Sequence, residues 1–320
     1  MARRLGNTEI EITPILFGTW QAGKSGWVGV EDQPVIDAMK AAFDAGITTF
    51  DTAEAYGDGY SEELVAKALS GVRDKVVLAT KVFANHLHYQ QVLEACENSL
   101  KRLQTDYIDL YQIHWPAGTF NSDVVPIEET MKALNELKQQ GKIRAIGVSN
   151  FSREQLAEAM QFGRIDSLQP PYNLFWRGVE QETMPHCVEQ NVAIIAYSAL
   201  AQGLLTGRFG SDHQFEEGDI RAKNKLFKGE TYQRAQDALA KLRPIAERQQ
   251  CTLAQLALAW LIAQPQTSAI VGARNADQAT QNAKAMEIQL TKDDLTEIDA
   301  IGRGVTDQLD DNPVMWEFAA

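Results

Sequence analysis

Short apolar runs that end in a polar residue or glycine alternate along this chain with stretches of helical periodicity. Eight runs stand out, at 15–18, 47–51, 76–81, 107–114, 145–149, 167–169, 192–198 and 268–272. They are near-continuously apolar rather than alternating, the pattern of strands buried on both faces of a parallel sheet. Between them Val35, Met39, Ala42 and Phe43 recur at i, i+4, i+7 and i+8, and Val92, Cys96, Leu100 and Leu103 mark a second apolar helix face in the same way. Ser152 with Gln155, and Thr252 with Gln255, have the capping-box spacing, in which each side chain satisfies an orphan backbone N–H of the other.

The ends of the first five runs, at Gly18, Asp51, Lys81, His114 and Ser149, are separated by 33, 30, 33 and 35 residues. A (β/α)8 barrel needs roughly 30 residues per unit. An open doubly wound sheet also alternates strand and helix. Eight units, and no Gly-rich fingerprint after the first run, favour an α/β fold of the (β/α)8 TIM-barrel type in a single domain over 1–320. Residues 3–13, with Gly6-Asn7 at the turn, read as a hairpin capping the barrel floor. Residues 204–230 read as a long loop after the seventh strand, 253–263 as a buried helix, and 303–320 as a tail with little pattern beyond Trp316 and Phe318.

Composition narrows the function. The 320 residues carry a formal charge of −13, so nucleic acid and anionic membranes repel the chain. Arg3 and Arg4 are followed by no apolar signal segment, and no run is long enough to span a bilayer. Cys96, Cys187 and Cys251 are too scattered for a metal site, and read as reduced thiols of a cytoplasmic protein. With no coiled coil or apolar stripe, a monomer is the default.

Barrel active sites gather at the C-terminal ends of the strands. Here those ends carry Thr19 and Trp20, Asp51, Lys81, His114, Ser149 and Asn150, Gln169, Tyr197 and Ser198, then Gly272 and Arg274. The segments FDTAEAYG (50–57), TK (80–81), DLYQIH (109–114), GVSNF (147–151), QPPYN (169–173), YSAL (197–200) and GARN (272–275), taken in order, resemble the aldo-keto reductase superfamily. The resemblance runs from about residue 3 to 302, and its Gly-Ala-Arg form is closer to bacterial and plant members than to the human type. It implies a catalytic tetrad of Asp51, Tyr56, Lys81 and His114, without metal. Hydride addition to a carbonyl builds charge on oxygen, which a proton donor must meet. Tyr56 would be that donor, with Lys81 lowering its pKa, Asp51 holding Lys81, and His114 orienting the carbonyl.

The resemblance also implies a nicotinamide cofactor across the barrel mouth. Ser149, Asn150 and Gln169 would hold the carboxamide, Tyr197 would stack on the ring, and Gly18, Thr19, Trp20 and Asp51 would touch the ribose. The pyrophosphate would lie along Ser198, Ala199, Leu200, Gln202, Gly203, Leu204, Gly207 and Arg208, where glycines permit close backbone approach. Gly272 opens a helix whose N-terminus suits an anion. Arg274 there suits a 2′-phosphate, no acidic residue occupies 271–276, and Gln278, Gln281 and Asn282 reach toward adenine. NADPH is therefore expected over NADH. Trp20, Tyr56, Phe83, His114 and Trp115 would line the substrate pocket, suited to aromatic aldehydes and dicarbonyls such as methylglyoxal. Loop 204–230 would close over the cofactor. Two other functions stay open: an NADPH-binding regulatory protein like potassium-channel β subunits, and an aldose or alcohol dehydrogenase running in reverse.

Overall fold

A computed structural model describes residues 2–316. Strands β1 (Arg3–Arg4) and β2 (Glu11–Ile12) pair antiparallel. Then come β3 (Ile15–Gly18), α1 (Asp32–Asp44), β4 (Thr49–Asp51), α2 (Tyr60–Ala68), β5 (Val77–Val82), α3 (Tyr89–Leu103), β6 (Ile108–Ile113), α4 (Ile127–Gln139), β7 (Ile143–Ser149) and α5 (Arg153–Ala159). The chain continues through β8 (Ser167–Gln169), α6 (Thr183–Gln190), β9 (Ala193–Ala196), α7 (Gly229–Arg248), α8 (Leu253–Ile262), β10 (Thr267–Val271), α9 (Ala276–Ala283) and α10 (Lys292–Thr306). Strands β3 to β10 form a closed parallel barrel in sequence order, β10 pairing back to β3. Each of the eight apolar runs overlaps one of these strands, with ends displaced by at most two residues. The TIM-barrel expectation holds.

Periodicity located the helices because burial enforces it. Val35, Met39 and Ala42 on α1, and Val92, Cys96, Leu100 and Leu103 on α3, are buried between the barrel and its neighbours. Both capping boxes form, with Ser152 on α5 and Thr252 on α8 each accepting from the N–H three residues on. Helix α8 is apolar all round and buried throughout, as a helix enclosed by protein must be.

The β1–β2 hairpin closes the floor. Leu5, Ile10 and Ile12 plug the barrel interior against Leu16, Ala79, Leu110 and Ile195. Its turn is wider than a two-residue Gly6-Asn7 link: Leu5 N–H donates to Ile10 O, and Gly6 takes a φ of +56°. Asp109 staples three neighbouring segments outside the floor, accepting from Arg73, Arg144 and the Leu78 N–H at 2.8, 2.6 and 2.9 Å.

Two expectations about irregular segments change. Residues 204–206 finish a 3-10 segment (Ala201–Thr206), short 3-10 turns occupy Ile220–Lys223 and Lys225–Phe227, and α7 begins at Gly229. Phe209, Phe215, Phe227 and Tyr232 form a ring cluster there, giving the segment its own small apolar core. In the tail, Arg303 to Thr306 complete α10, and Trp316 packs edge-on to Trp115. Phe318 lies outside the described residues.

Candidate active site

The strand ends open into one cavity of about 780 Å³. At its base the registers Lys81↔Gln112, Gln112↔Gly147 and Ser149↔Gln169 set polar side chains from adjacent strands side by side. Asp51 is the hub. Its Oδ1 accepts from Lys81 Nζ at 2.5 Å, and its Oδ2 accepts from Gln169 Nε2 at 3.0 Å and Gln112 Nε2 at 3.2 Å. Lys81 is fully buried, as the cluster requires, and it also donates to Thr52 O at 2.8 Å. Its Nζ stands 3.3 Å from the Tyr56 hydroxyl. The Tyr56 and His114 rings meet edge to face at 5.5 Å. An acid, a cation, an anion and an imidazole thus converge at one point of the cavity.

Residues 14–303 match the sequence model of the family described as "Aldo/keto reductase family". The chain belongs to that family. Among curated relatives, it is 39% identical to "Aldo-keto reductase YhdN" of Bacillus subtilis, across 93% of this chain and 92% of the relative. It is 35% identical to the "NADH-specific methylglyoxal reductase" of Escherichia coli, across 91% and 95%. Among solved structures, glycerol dehydrogenase AKR11B4 from Gluconobacter oxydans superposes with a TM-score of 0.87 at 32% identity, covering 100% and 99% of the two chains. An aldo/keto reductase from Klebsiella pneumoniae, solved with NADP and acetate, gives 0.76 at 32%, covering 98% of each. The protein is accordingly an oxidoreductase with the family's nicotinamide-dependent carbonyl chemistry.

The electrostatics of this aldo-keto reductase differ from the sequence expectation at one point. Burial, followed by the nearby Asp51 charge, pushes the Tyr56 phenol well above its ordinary pKa instead of below it. Lys81 is itself pulled down by burial, against the attraction of Asp51. Asp51, at 2.5 Å, balances part of the Lys81 charge. Tyr56 therefore rests as a neutral phenol. Burial, then Lys81, hold His114 well below the usual imidazole range, so it too is neutral.

Most of the expected cofactor residues line the cavity: Gly18, Thr19, Trp20, Asp51, Ser149, Asn150, Gln169, Tyr197, Ser198, Ala199, Leu200, Gln202, Gly203, Arg208, Gly272, Arg274, Gln278, Gln281 and Asn282. Leu204 and Gly207 do not. Leu204 is buried in the core, and a Cβ on Gly207 would meet Leu253 at 2.5 Å, so both face α8. Thr206 lines the wall in their place. Lys81 stays behind Tyr56, off the cavity surface.

The residues present fit a dinucleotide. Ser198, Ala201 and Gln202 take left-handed φ of 53°, 50° and 54°, a conformation costly outside glycine. The switch from right-handed Leu200 to left-handed Ala201 curls successive N–H groups toward one side, as an anion-binding turn does. A Cβ on Gly18 would strike Ile270 at 2.4 Å, so only glycine keeps this wall flat. Arg274 Nη2 and Gln21 Oε1 are buried and have no hydrogen-bond partner among the described residues. Asn150 donates to His114 O and Ser149 Oγ and accepts from the Tyr197 hydroxyl at 2.8 Å, which pins that ring beside the carboxamide position.

Several functional residues escaped the sequence reading. Phe83, His114 and Trp115 line the pocket as expected, but Trp27, Phe120 and Trp316 complete its aromatic wall from separate loops. Arg221 lines the cavity too, clamped by Asp219 and stacked over Trp27 and Phe215 at 5.5 and 4.8 Å. Nothing distinguished Arg221 from the other charges of 204–230, and Trp27 and Phe120 lie away from any strand end. Asp277, just past the stretch searched for an acidic residue, stands on the rim.

Proposed function

We propose that this protein reduces aldehydes and ketones, small dicarbonyls included, by hydride transfer from NADPH with Tyr56 as proton donor. The observation that carries this reading is the Tyr56 hydroxyl, 3.3 Å from a buried lysine that is locked at 2.5 Å to Asp51. A bound nicotinamide supplies the hydride to the carbonyl carbon. Everything else falls to the protein. The neutral Tyr56 carries a proton at neutral pH, as an acid must. When that proton moves to the carbonyl oxygen, the phenolate appears beside the Lys81 ammonium, and the charge meets a counterion already in place. Asp51 keeps Lys81 charged and aimed. His114, neutral by burial, donates a hydrogen bond to the carbonyl oxygen and orients it; a neutral imidazole is far too weak an acid to replace Tyr56. The wall of Trp20, Trp27, Phe83, Trp115, Phe120 and Trp316 excludes water and favours flat or apolar substituents.

The preference for NADPH rests on Arg274, whose buried Nη2 has no hydrogen-bond partner among the described residues, supported by Arg208 and Arg221 in the same wall. The E. coli relative named NADH-specific, and Asp277 on the rim, are the reasons to measure this directly. The same residues serve the oxidative direction, to which the likeness to a glycerol dehydrogenase draws attention.

The test follows NADPH consumption with methylglyoxal and with an aromatic aldehyde, in the wild type and in Tyr56→Phe. The substitution removes one hydroxyl. Turnover by the wild type, and a loss of about 10²-fold or more in the variant with cofactor affinity retained, supports the reading. A wild type that binds NADPH but scarcely turns over any carbonyl refutes it in favour of a regulatory role.

A further inference from the structure

The tetrad accounts for one oxygen of Asp51. The other is held by two amides, one of which belongs to Gln112, a fully buried residue in the middle of β6. An ionised carboxylate only accepts, so the atoms at 3.0 and 3.2 Å from Asp51 Oδ2 are both amide nitrogens. Gln169 Nε2 spends its second hydrogen on Gln112 Oε1 at 3.1 Å. Asp51, Gln112 and Gln169 thus form a ring across β4, β6 and β8, leaving Gln169 Oε1 as its acceptor toward the cavity.

A second observation shows that the fold makes room for this ring. Gly147 is the register partner of Gln112 on β7, and a Cβ there would lie 2.9 Å from Gln112 Cγ and 2.4 Å from Ser167 Oγ. Any larger residue at 147 would drive the Gln112 side chain from its place. A strand glycine with an extended backbone and no turn to make is explained by that space.

We propose that Gln112 is a positioning residue for the proton donor: with Gln169 it locks the Asp51 carboxylate, and through Asp51 it fixes Lys81 against Tyr56. The inference rests on Tyr56 being the donor, as argued above. A carboxylate held by a lysine alone can swing about that one contact. Held on both oxygens, it presents Oδ1 to Lys81 in one orientation, and the 3.3 Å between Lys81 and Tyr56 is kept. The same ring touches Gln169, placing the cofactor wall and the proton donor in one rigid unit.

Two variants test this. Gln112→Met keeps the length and volume and removes both polar ends. Gln112→Glu supplies the same geometry only while its acid is protonated, donating to Asp51 and accepting from Gln169. The charged groups facing position 112 are Asp51 from β4 and Lys81 from β5, with Tyr56 and, from α2, Glu62 behind Lys81. Gln169 from β8, Gly147 from β7 and Ser167 add no charge. Burial beside Asp51 raises the acid's pKa in the folded protein above its unfolded value of about 4.3. Its favourable state is therefore present at low pH and lost as pH rises through that raised value.

Kcat/KM with the aldehyde and NADPH affinity by fluorescence are measured from pH 5.5 to 9 for all three proteins, with thermal midpoints of the cofactor-free proteins over the same range. Gln112→Met is expected to lose about tenfold or more in kcat/KM at every pH, the cost of one hydrogen bond to a charged group, with NADPH affinity within about twofold of wild type. Gln112→Glu is expected to approach wild-type kcat/KM at pH 5.5 and to decline relative to it as pH rises, its thermal midpoint falling in parallel. Wild-type kcat/KM in Gln112→Met, or a pH profile for Gln112→Glu parallel to wild type, overturns the proposal. So does a midpoint difference between Gln112→Glu and wild type that does not change with pH. Turnover by the wild type judges the reductase reading separately, and the cofactor-free midpoints judge the Gln112 contact whether or not any carbonyl is reduced.

Discussion

Arg274→Ala separates cofactor recognition from fold stability, because the two effects have opposite signs. In the free protein the Arg274 guanidinium, 6.0 Å from the Trp27 ring, is half-buried, and its Nη2 has no hydrogen-bond partner among the described residues. Burial first, and repulsion from Arg221 second, pull its pKa down. Arg208 is pulled down by burial and then by both other guanidiniums. Asp219 is committed to Arg221, with contacts of 2.9 and 2.5 Å. A lowered arginine pKa means that the charged form costs the fold stability at every working pH. Removing Arg274 should then leave the thermal midpoint of the free protein unchanged or raised. A 2′-phosphate reverses the balance, since it accepts charge-assisted hydrogen bonds worth about 1.5–3 kcal/mol beyond those of water. The dissociation constant for NADPH should rise about 10- to 150-fold in the variant. NADH has no phosphate there, and its constant should change by less than about threefold. Fluorescence titration of both cofactors at 0.15 M salt, where the screening length is about 8 Å, gives the ratio. Equal weakening of NADH and NADPH refutes the reasoning, and so does a wild type that binds both alike.

Two other outcomes follow from the structure. The segment 204–230 reaches across the cavity, the Ile220 N–H donating to Gly26 O at 3.0 Å, while Arg221 faces the cofactor wall. Saturating NADPH should therefore slow limited proteolysis within 204–230, and equal cleavage rates with and without it would show that the segment does not close. Asp109 is buried and binds Arg73, Arg144 and the Leu78 N–H, so Asp109→Ala strands one buried N–H and removes the shared counterion of two guanidiniums. A loss of about 3 kcal/mol in urea unfolding is expected, with kcat/KM within about twofold, because the staple lies at the barrel floor.

The barrel was legible because its burial is regular. Strands enclosed on both faces must be apolar throughout, and helices packed on a barrel must be apolar at the helical period; neither pattern depends on distant residues. The strand-end residues were legible for the same reason. Once eight parallel strands close, Asp51, Lys81, His114, Ser149 and Gln169 have one rim to occupy. Loop contributions were not legible. Arg221, Trp27 and Trp316 reach the cavity from segments with no period, and Asp219 together with the packing of Phe209, Phe215 and Phe227 holds Arg221 in place. The placement of Leu204 and Gly207 has a similar origin: composition marked the segment, but its backbone turns set which residues line the cavity and which pack away from it.

What the amino-acid sequence alone determined was the barrel, the order of its strands and the residue types at their ends, since local periodicity and spacing encode these directly. Only the tertiary structure decided the electrostatics. The direction of the Tyr56 shift depends on how deeply it is buried, a sum over residues far apart in the chain, and on the Asp51 charge nearby. It likewise decided that Gln112, in the middle of β6, touches Asp51, because that contact exists only where β4, β6 and β8 close around a glycine in β7.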